Sequence, residues 1–144
     1  HIYTPDATRR TFARLRDLAR LALSAGYPVI IDAAFLRRSE RQHCRALAEQ
    51  LAVPFAILHC QASAVQLRQR VSQRQRSGSD ASEADVAVLE QQSGGCEELD
   101  PAERAVTLGV DTGAGLDLAV LAARWLAAKA GWADAVQACA PPQR

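Results

Sequence analysis

Val29-Ile30-Ile31 is an unbroken run of β-branched residues that ends on one carboxylate, Asp32, before Ala33-Ala34-Phe35. A strand covered on both faces by helices reads this way, whereas a strand with one wet face alternates apolar and polar residues. The run predicts a buried strand over about Pro28 to Asp32, and with it an α/β sheet.

Two other segments have the same character, Pro54-Phe55-Ala56-Ile57-Leu58-His59-Cys60 and Ala105-Val106-Thr107-Leu108-Gly109-Val110-Asp111. Helical patterns lie between and around them. Thr4-Pro5-Asp6 predicts a helix start, with Thr4 as N-cap and Pro5 at the first helical position. Phe12, Leu15, Leu18, Ala22 and Leu23 then form a stripe down to Gly26, a natural residue just past a helix end. Ser39-Glu40-Arg41-Gln42 reads as a capping box opening a helix with Cys44, Leu47, Ala48 and Leu51 inward, and Ser63 to Gln66 repeats the pattern before Leu67 and Val71. After the Ser77-Gly78-Ser79-Asp80 breaker, Asp80 and Glu83 predict a short helix through Val86 and Leu89, and Asp100-Pro101-Ala102-Glu103 marks a turn. Leu116 to Lys129 is a strong helix signal with Leu118, Leu121, Ala122 and Trp125 on one side. Residues 131–144 read as a flexible tail. Three strands alternating with helices predict a three-layer, doubly wound parallel sheet over residues 1–130.

In such sheets ligands collect at the carboxyl ends of strands, and Asp32 sits at one of them, where a carboxylate can hold Mg²⁺ through its water shell. The alternative is that Asp32 braces the following loop. Arg70 and Arg74, four residues apart, project from one helix face beside the breaker. Planar guanidinium forks match phosphate oxygens, so a helix carrying them next to a hinge describes a lid over a nucleotide, unless the pair is simply a solvated face. Arg37, Arg38 and Arg41 follow the Asp32 strand end and either contact an anionic substrate or face solvent. Asp111-Thr112 either shapes a nucleotide pocket or caps the last helix. His43 and His59 have no partner visible in the sequence, and no triad or metal cluster is assigned to them.

The chain of 144 residues, 49% apolar and 23% charged, suits one soluble domain. Its net charge of +1 and 5% aromatic residues argue against a nucleic-acid binder, and no apolar run approaches the ~20 residues that span a bilayer. Cys44, Cys60, Cys96 and Cys139 show no zinc spacing and read as reduced thiols. With no apolar leader at its start, the chain is expected in the cytoplasm.

Tyr3 to Arg10, Val29 to Leu36, Phe55 to Cys60, Leu67-Arg68-Gln69-Arg70, Asp80 to Ala84 and Val110-Asp111-Thr112 together resemble a bacterial family of P-loop kinases of the AAA-type ATP-binding kind. Its members are similar to zeta toxins, gluconate kinases and polynucleotide kinases, and are often fused behind an aminoglycoside-phosphotransferase-like domain. The resemblance implies ATP-dependent phosphoryl transfer, with Mg²⁺, to a small-molecule hydroxyl or related acceptor. Asp32 would match the Walker-B-like carboxylate, Arg70 and Arg74 the lid arginines, and Asp111 and Thr112 the nucleotide-side strand end, with Arg37 and Arg41 toward the acceptor.

No G-x-x-x-x-G-K-[ST] is present, and the only lysine is Lys129. The resemblance therefore implies the carboxyl-terminal part of such a domain, with the first strands and phosphate loop upstream of His1 and little activity in the chain alone. In the family's strand order 2-3-1-4-5, the strands centred on Ile30 and Ile57 would flank the missing first strand. They would then re-pair directly, recruit a strand from another chain through the sheet edge, or leave the protein poorly folded. The competing class is a non-enzymatic α/β interaction module that assembles into homo-oligomers through that edge.

Overall fold

The structure is a computed structural model that describes residues 5–77, 88–89, 94–113 and 115–138. The chain divides into two compact units, His1–Phe55 and Ala56–Arg144.

The first unit is built on α1 (Pro5–Ser24) packed against α2 (Arg38–Gln50). Phe12 and Ala19 of α1 and Leu47 and Ala48 of α2 are buried, as the apolar spacing requires. Phe35 reaches its ring to within 5.0 Å of the Phe12 ring, tilted by 56°. The carbonyl of Phe35 accepts a 2.9 Å hydrogen bond from Arg41 Nη1, and Arg41 is only 5% exposed. The loop before α2 is thus held from both sides of one residue. Arg20 of α1 adds a 2.9 Å bond to Gln50 at the end of α2.

Both helix ends close in the same way, on residues of different suitability. After α1, Gly26 takes φ +86°, and the N–H groups of Gly26 and Tyr27 turn back to the carbonyls of Leu23 and Ala22 at 2.9 and 3.0 Å. After α2, Ala52 and Val53 do the same to Glu49 and Ala48 at 3.1 and 3.0 Å, but here the left-handed position, φ +51°, is occupied by alanine. At the other end of α2, Glu40 accepts the Arg37 backbone N–H at 3.3 Å, so the helix starts at Arg38 and Ser39 lies inside it. The Ser39 box expected from the sequence is replaced by the Glu40 contact. Thr4, the expected cap of α1, lies outside the described residues.

Pro28 to Asp32 forms no strand. Ile30 is 96% exposed, and Val29 and Ile31 are half-buried. An extended run becomes a strand only when a neighbour takes its N–H and C=O groups, and the sheet among the described residues contains β1 and β2 alone. Without a strand there, the direct re-pairing with the Ile57 strand does not arise, and the described sheet has two strands where three were expected.

The second unit is α/β. β1 (Ile57–Gln61) runs parallel to β2 (Thr107–Asp111), in a register pairing Ile57 with Thr107 and Gln61 with Asp111. Bonds from Ile57 N–H to Val106 C=O at 2.9 Å and from Thr112 N–H to Gln61 C=O at 2.7 Å extend the ladder at both ends. Parallel neighbours need a crossover, which here carries α3 (Ala64–Ser77) and the short α4 (Pro101–Arg104). Ser63 and Gln66 form the expected capping box of α3, with Ser63 N–H donating to Gln66 Oε1 at 3.0 Å and Gln66 N–H to Ser63 Oγ at 3.3 Å. Asp100 and Glu103 cap α4 reciprocally at 2.8 and 2.9 Å, which satisfies the buried Glu103 carboxylate. The expected helix from Asp80 lies outside the described residues, except for Val88 and Leu89.

The core of this unit is Val71, Leu108 and Val110. The final helix α5 (Leu118–Ala138) begins at Asp117, whose Oδ1 accepts the N–H groups of Ala119 and Val120 at 2.9 and 3.1 Å, and it continues past Gly131. Leu118 is 70% exposed and Leu126 66%. No helix among the described residues is long and apolar enough to cross a membrane.

Gly26→Ala is expected to lower stability by about 1 kcal/mol and Ala52→Gly to raise it by about 0.5–1 kcal/mol, read from urea unfolding midpoints. Equal effects of the two substitutions would contradict the left-handed closure. The Cys44 thiol is pushed above its ordinary pKa by burial and by the nearby Glu40 charge, against an opposing pull from Arg16. With the folded pKa raised, stability is fully present below the unfolded value and falls as pH rises from there through the folded one. Iodoacetamide at mildly alkaline pH should therefore modify the exposed Cys60 and Cys96 before Cys44, as peptide mass mapping would show.

Candidate functional site

Each unit presents its own group of polar side chains. In the first, Asp32 is exposed in the irregular stretch after Ile31, and Arg37 is exposed at the N-cap of α2. Arg41 lies one turn into that helix and turns inward, its guanidinium holding the Phe35 carbonyl. Asp32, Arg37 and Arg41 are thus carried by one loop-to-helix segment, in which two groups face solvent and one fixes the backbone between them.

The second group is at the carboxyl end of β2. Thr112 donates from both its N–H and its Oγ1 to the Gln61 carbonyl, at 2.7 and 2.9 Å, which ties it to the end of β1. Arg70 donates from Nη1 to Thr112 Oγ1 at 3.0 Å and from Nη2 to the Thr112 carbonyl. Gln66, one turn earlier on α3, donates from Nε2 to the Gly113 carbonyl at 2.9 Å while its Oε1 accepts from Ser63 N–H and Oγ, each at 3.0 Å. Two side chains on one helix face therefore grip consecutive carbonyls of the turn after β2. Asp111 accepts the Gly113 N–H at 2.8 Å and shapes the same turn. It does not cap α5, a role taken by Asp117. Arg74 is exposed, one further turn along α3.

On the far edge of β2, Arg124 of α5 covers the Gly109 carbonyl at 3.2 Å. Gln66 and Ser63 were visible in the sequence only as a helix cap, because the acceptor at Gly113 lies 47 residues away.

A family model described as an AAA domain matches residues 1–99. The chain belongs to the AAA domain family. Membership brings nucleotide-binding, P-loop NTPase-like character, and AAA-type P-loop domains bind nucleotide with Mg²⁺. The match spans Asp32, Arg37, Arg41, Arg70 and Arg74 and ends before β2. Comparison with curated proteins and with solved structures gives no match.

The residues of this AAA domain fit part of what a magnesium nucleotide needs. No group of three or more His, Cys, Asp or Glu able to hold a bare metal ion occurs among the described residues. A single exposed carboxylate suits Mg²⁺, which keeps much of its water and takes other ligands from phosphates.

A Cβ on Gly113 would overlap the Gln66 amide, with Nε2 at 2.8 Å, whereas one on Gly109 meets nothing within 4 Å. Because the Gln66 amide is held from both ends, Gly113→Ala is expected to cost about 1–3 kcal/mol and Gly109→Ala much less. Adding Gln66→Ala to Gly113→Ala should recover much of the loss. A urea-unfolding double-mutant cycle with no coupling between positions 66 and 113 would contradict this geometry.

Proposed function

We propose that this AAA domain is part of an ATP-dependent phosphotransferase that passes the γ-phosphoryl group to a small-molecule hydroxyl or related acceptor, and that the 144-residue chain alone turns over little or no ATP. The observation that carries the reading is the AAA domain match across both Asp32 and the Arg70/Arg74 helix. Phosphoryl transfer asks a protein mainly for positioning and charge neutralisation, and these residue types supply both.

In this reading the Asp32 carboxylate holds hydrated Mg²⁺, and the guanidinium groups of Arg70 and Arg74 meet phosphate oxygens. Asp111 and Thr112, at the carboxyl end of β2, form the nucleotide side. Arg37 supplies positive charge toward the acceptor, and Arg41 acts by fixing the loop through Phe35. A Gly-rich phosphate loop with its lysine is absent from the sequence, and that is the basis for the low turnover. The free thiols of Cys44, Cys60 and Cys96 support a reducing, cytoplasmic setting.

A second reading, an α/β interaction module without catalysis, is favoured by the exposed Leu118, Val120 and Leu126 of α5. Sedimentation separates the two: concentration-dependent assembly without nucleotide binding would favour the module.

Titration with a fluorescent ATP analogue should show weak, magnesium-dependent binding that Asp32→Asn or Arg74→Gln weakens about tenfold, the loss expected for one charge-assisted contact. Substantial magnesium-dependent ATP hydrolysis by the chain itself would refute the low-turnover claim. Binding indifferent to both substitutions would remove Asp32 and Arg74 from the site.

A further inference from the structure

The guanidinium of Arg70 spends two of its nitrogens on one residue, Nη1 on the Thr112 hydroxyl and Nη2 on the Thr112 carbonyl. That two-nitrogen fork is one of the two donor pairs of a guanidinium that can take two phosphate oxygens. The Nη1–Nη2 edge cannot serve both partners at once, so the contact seen here takes that edge away from a phosphate and leaves it only the Nε side of the guanidinium. The Thr112 end is the fixed one, since its N–H and Oγ1 are both committed to Gln61 and the next carbonyl is gripped by Gln66. Arg70, on an exposed side chain of α3, is the end that can move.

We propose that the Arg70–Thr112 contact is a latch that parks a phosphate-binding arginine on the strand end until a polyphosphate draws it off. The proposal rests on the reading of Arg70 as a phosphate-contacting residue, and adds to it an autoinhibitory state and the residue that maintains it. The energetics have a definite sign. Thr112 offers neutral acceptors, whereas a phosphate adds its own negative charge to the bidentate contact and is therefore the stronger partner for the guanidinium. Its apparent affinity is nevertheless reduced by the fraction of molecules in which Arg70 is parked.

Weakening the latch must therefore tighten anion binding, the opposite of what loss of a binding residue does. Thr112→Val keeps the side-chain shape and removes the hydroxyl that accepts from Nη1. Gln66→Ala loosens the same turn and leaves both partners of Arg70 in place.

The test is an NMR titration of the full chain, ¹⁵N-labelled at arginine, with sodium tripolyphosphate, a probe with no adenine to touch the strand end. In the ligand-free wild type the Arg70 side-chain N–H signals should exchange slowly, and tripolyphosphate should shift them together with the Thr112 amide. Thr112→Val should bind tripolyphosphate about three- to tenfold more tightly than wild type, Gln66→Ala within about twofold of it, and Arg70→Gln more weakly than all. Equal or weaker binding by Thr112→Val, or equal tightening by Gln66→Ala, overturns the latch. Should Thr112→Val fail to fold, the ligand-free wild type still decides: Arg70 signals that exchange like those of a freely solvated arginine overturn it as well. A parallel magnesium–ATP titration separates the two levels. Nucleotide binding that depends on Arg70 but is untouched at Thr112 removes the latch and leaves the phosphotransferase reading standing. If no form binds tripolyphosphate or ATP, both fall together.

Discussion

The parallel pairing of β1 with β2 is the contact from which the second unit takes its form. It joins Gln61 to Thr112, 51 residues apart. Closing a loop of that length costs roughly 3–4 kcal/mol in chain entropy, more than one net hydrogen bond of about 1 kcal/mol returns. The ladder therefore has to act as a set, from Ile57 N–H on Val106 C=O to Thr112 N–H on Gln61 C=O, with Leu108 and Val110 buried beside it. Once it forms, the carboxyl ends of both strands lie together. The first two turns of α3 then find the Thr112 and Gly113 carbonyls within reach of Arg70 and Gln66.

That arrangement gathers two kinds of contact at the strand end. Thr112 and Gly113 are held by Gln61 and Gln66 from distant parts of the chain and by Asp111 within the turn itself. Arg70 reaches the same place on a long side chain from an exposed helix face. Its guanidinium rests there on a neutral hydroxyl and a neutral carbonyl. In the first unit Arg41 is buried and braces a loop, while Asp32 and Arg37 are exposed.

Much of the local structure was legible in the sequence. Gly26 closes α1 as expected, because only a residue without a Cβ takes a left-handed φ cheaply. Ser63 with Gln66 and Asp100 with Glu103 are caps whose partners lie three residues away, so spacing alone reveals them. The strand expected at Pro28 to Asp32 failed for a reason of the opposite kind. Its apolar run states that it should be covered, but coverage and ladder partners come from elsewhere in space, and Ile30 finds neither. The left-handed Ala52 carried no signal, since nothing in an alanine announces a positive φ. The alternation of apolar runs and helical stripes was enough to indicate α/β, and the motif order pointed to the AAA family that residues 1–99 match.

What the amino-acid order determined by itself is therefore everything that depends on neighbours within about one helical turn: where helices begin and stop, which faces are apolar, and which residue types are available to meet phosphate. Only the tertiary structure decided which apolar run becomes a strand, that Arg41 is buried while Arg37 is not, that Asp111 shapes a turn and leaves Asp117 to cap α5, and that Arg70 rests on Thr112. The physical reason is range. A cap or a glycine turn is settled by atoms a few bonds apart, whereas a strand, a buried charge or the contact of Arg70 with Thr112 is settled by acceptors that the chain brings close only after it has folded.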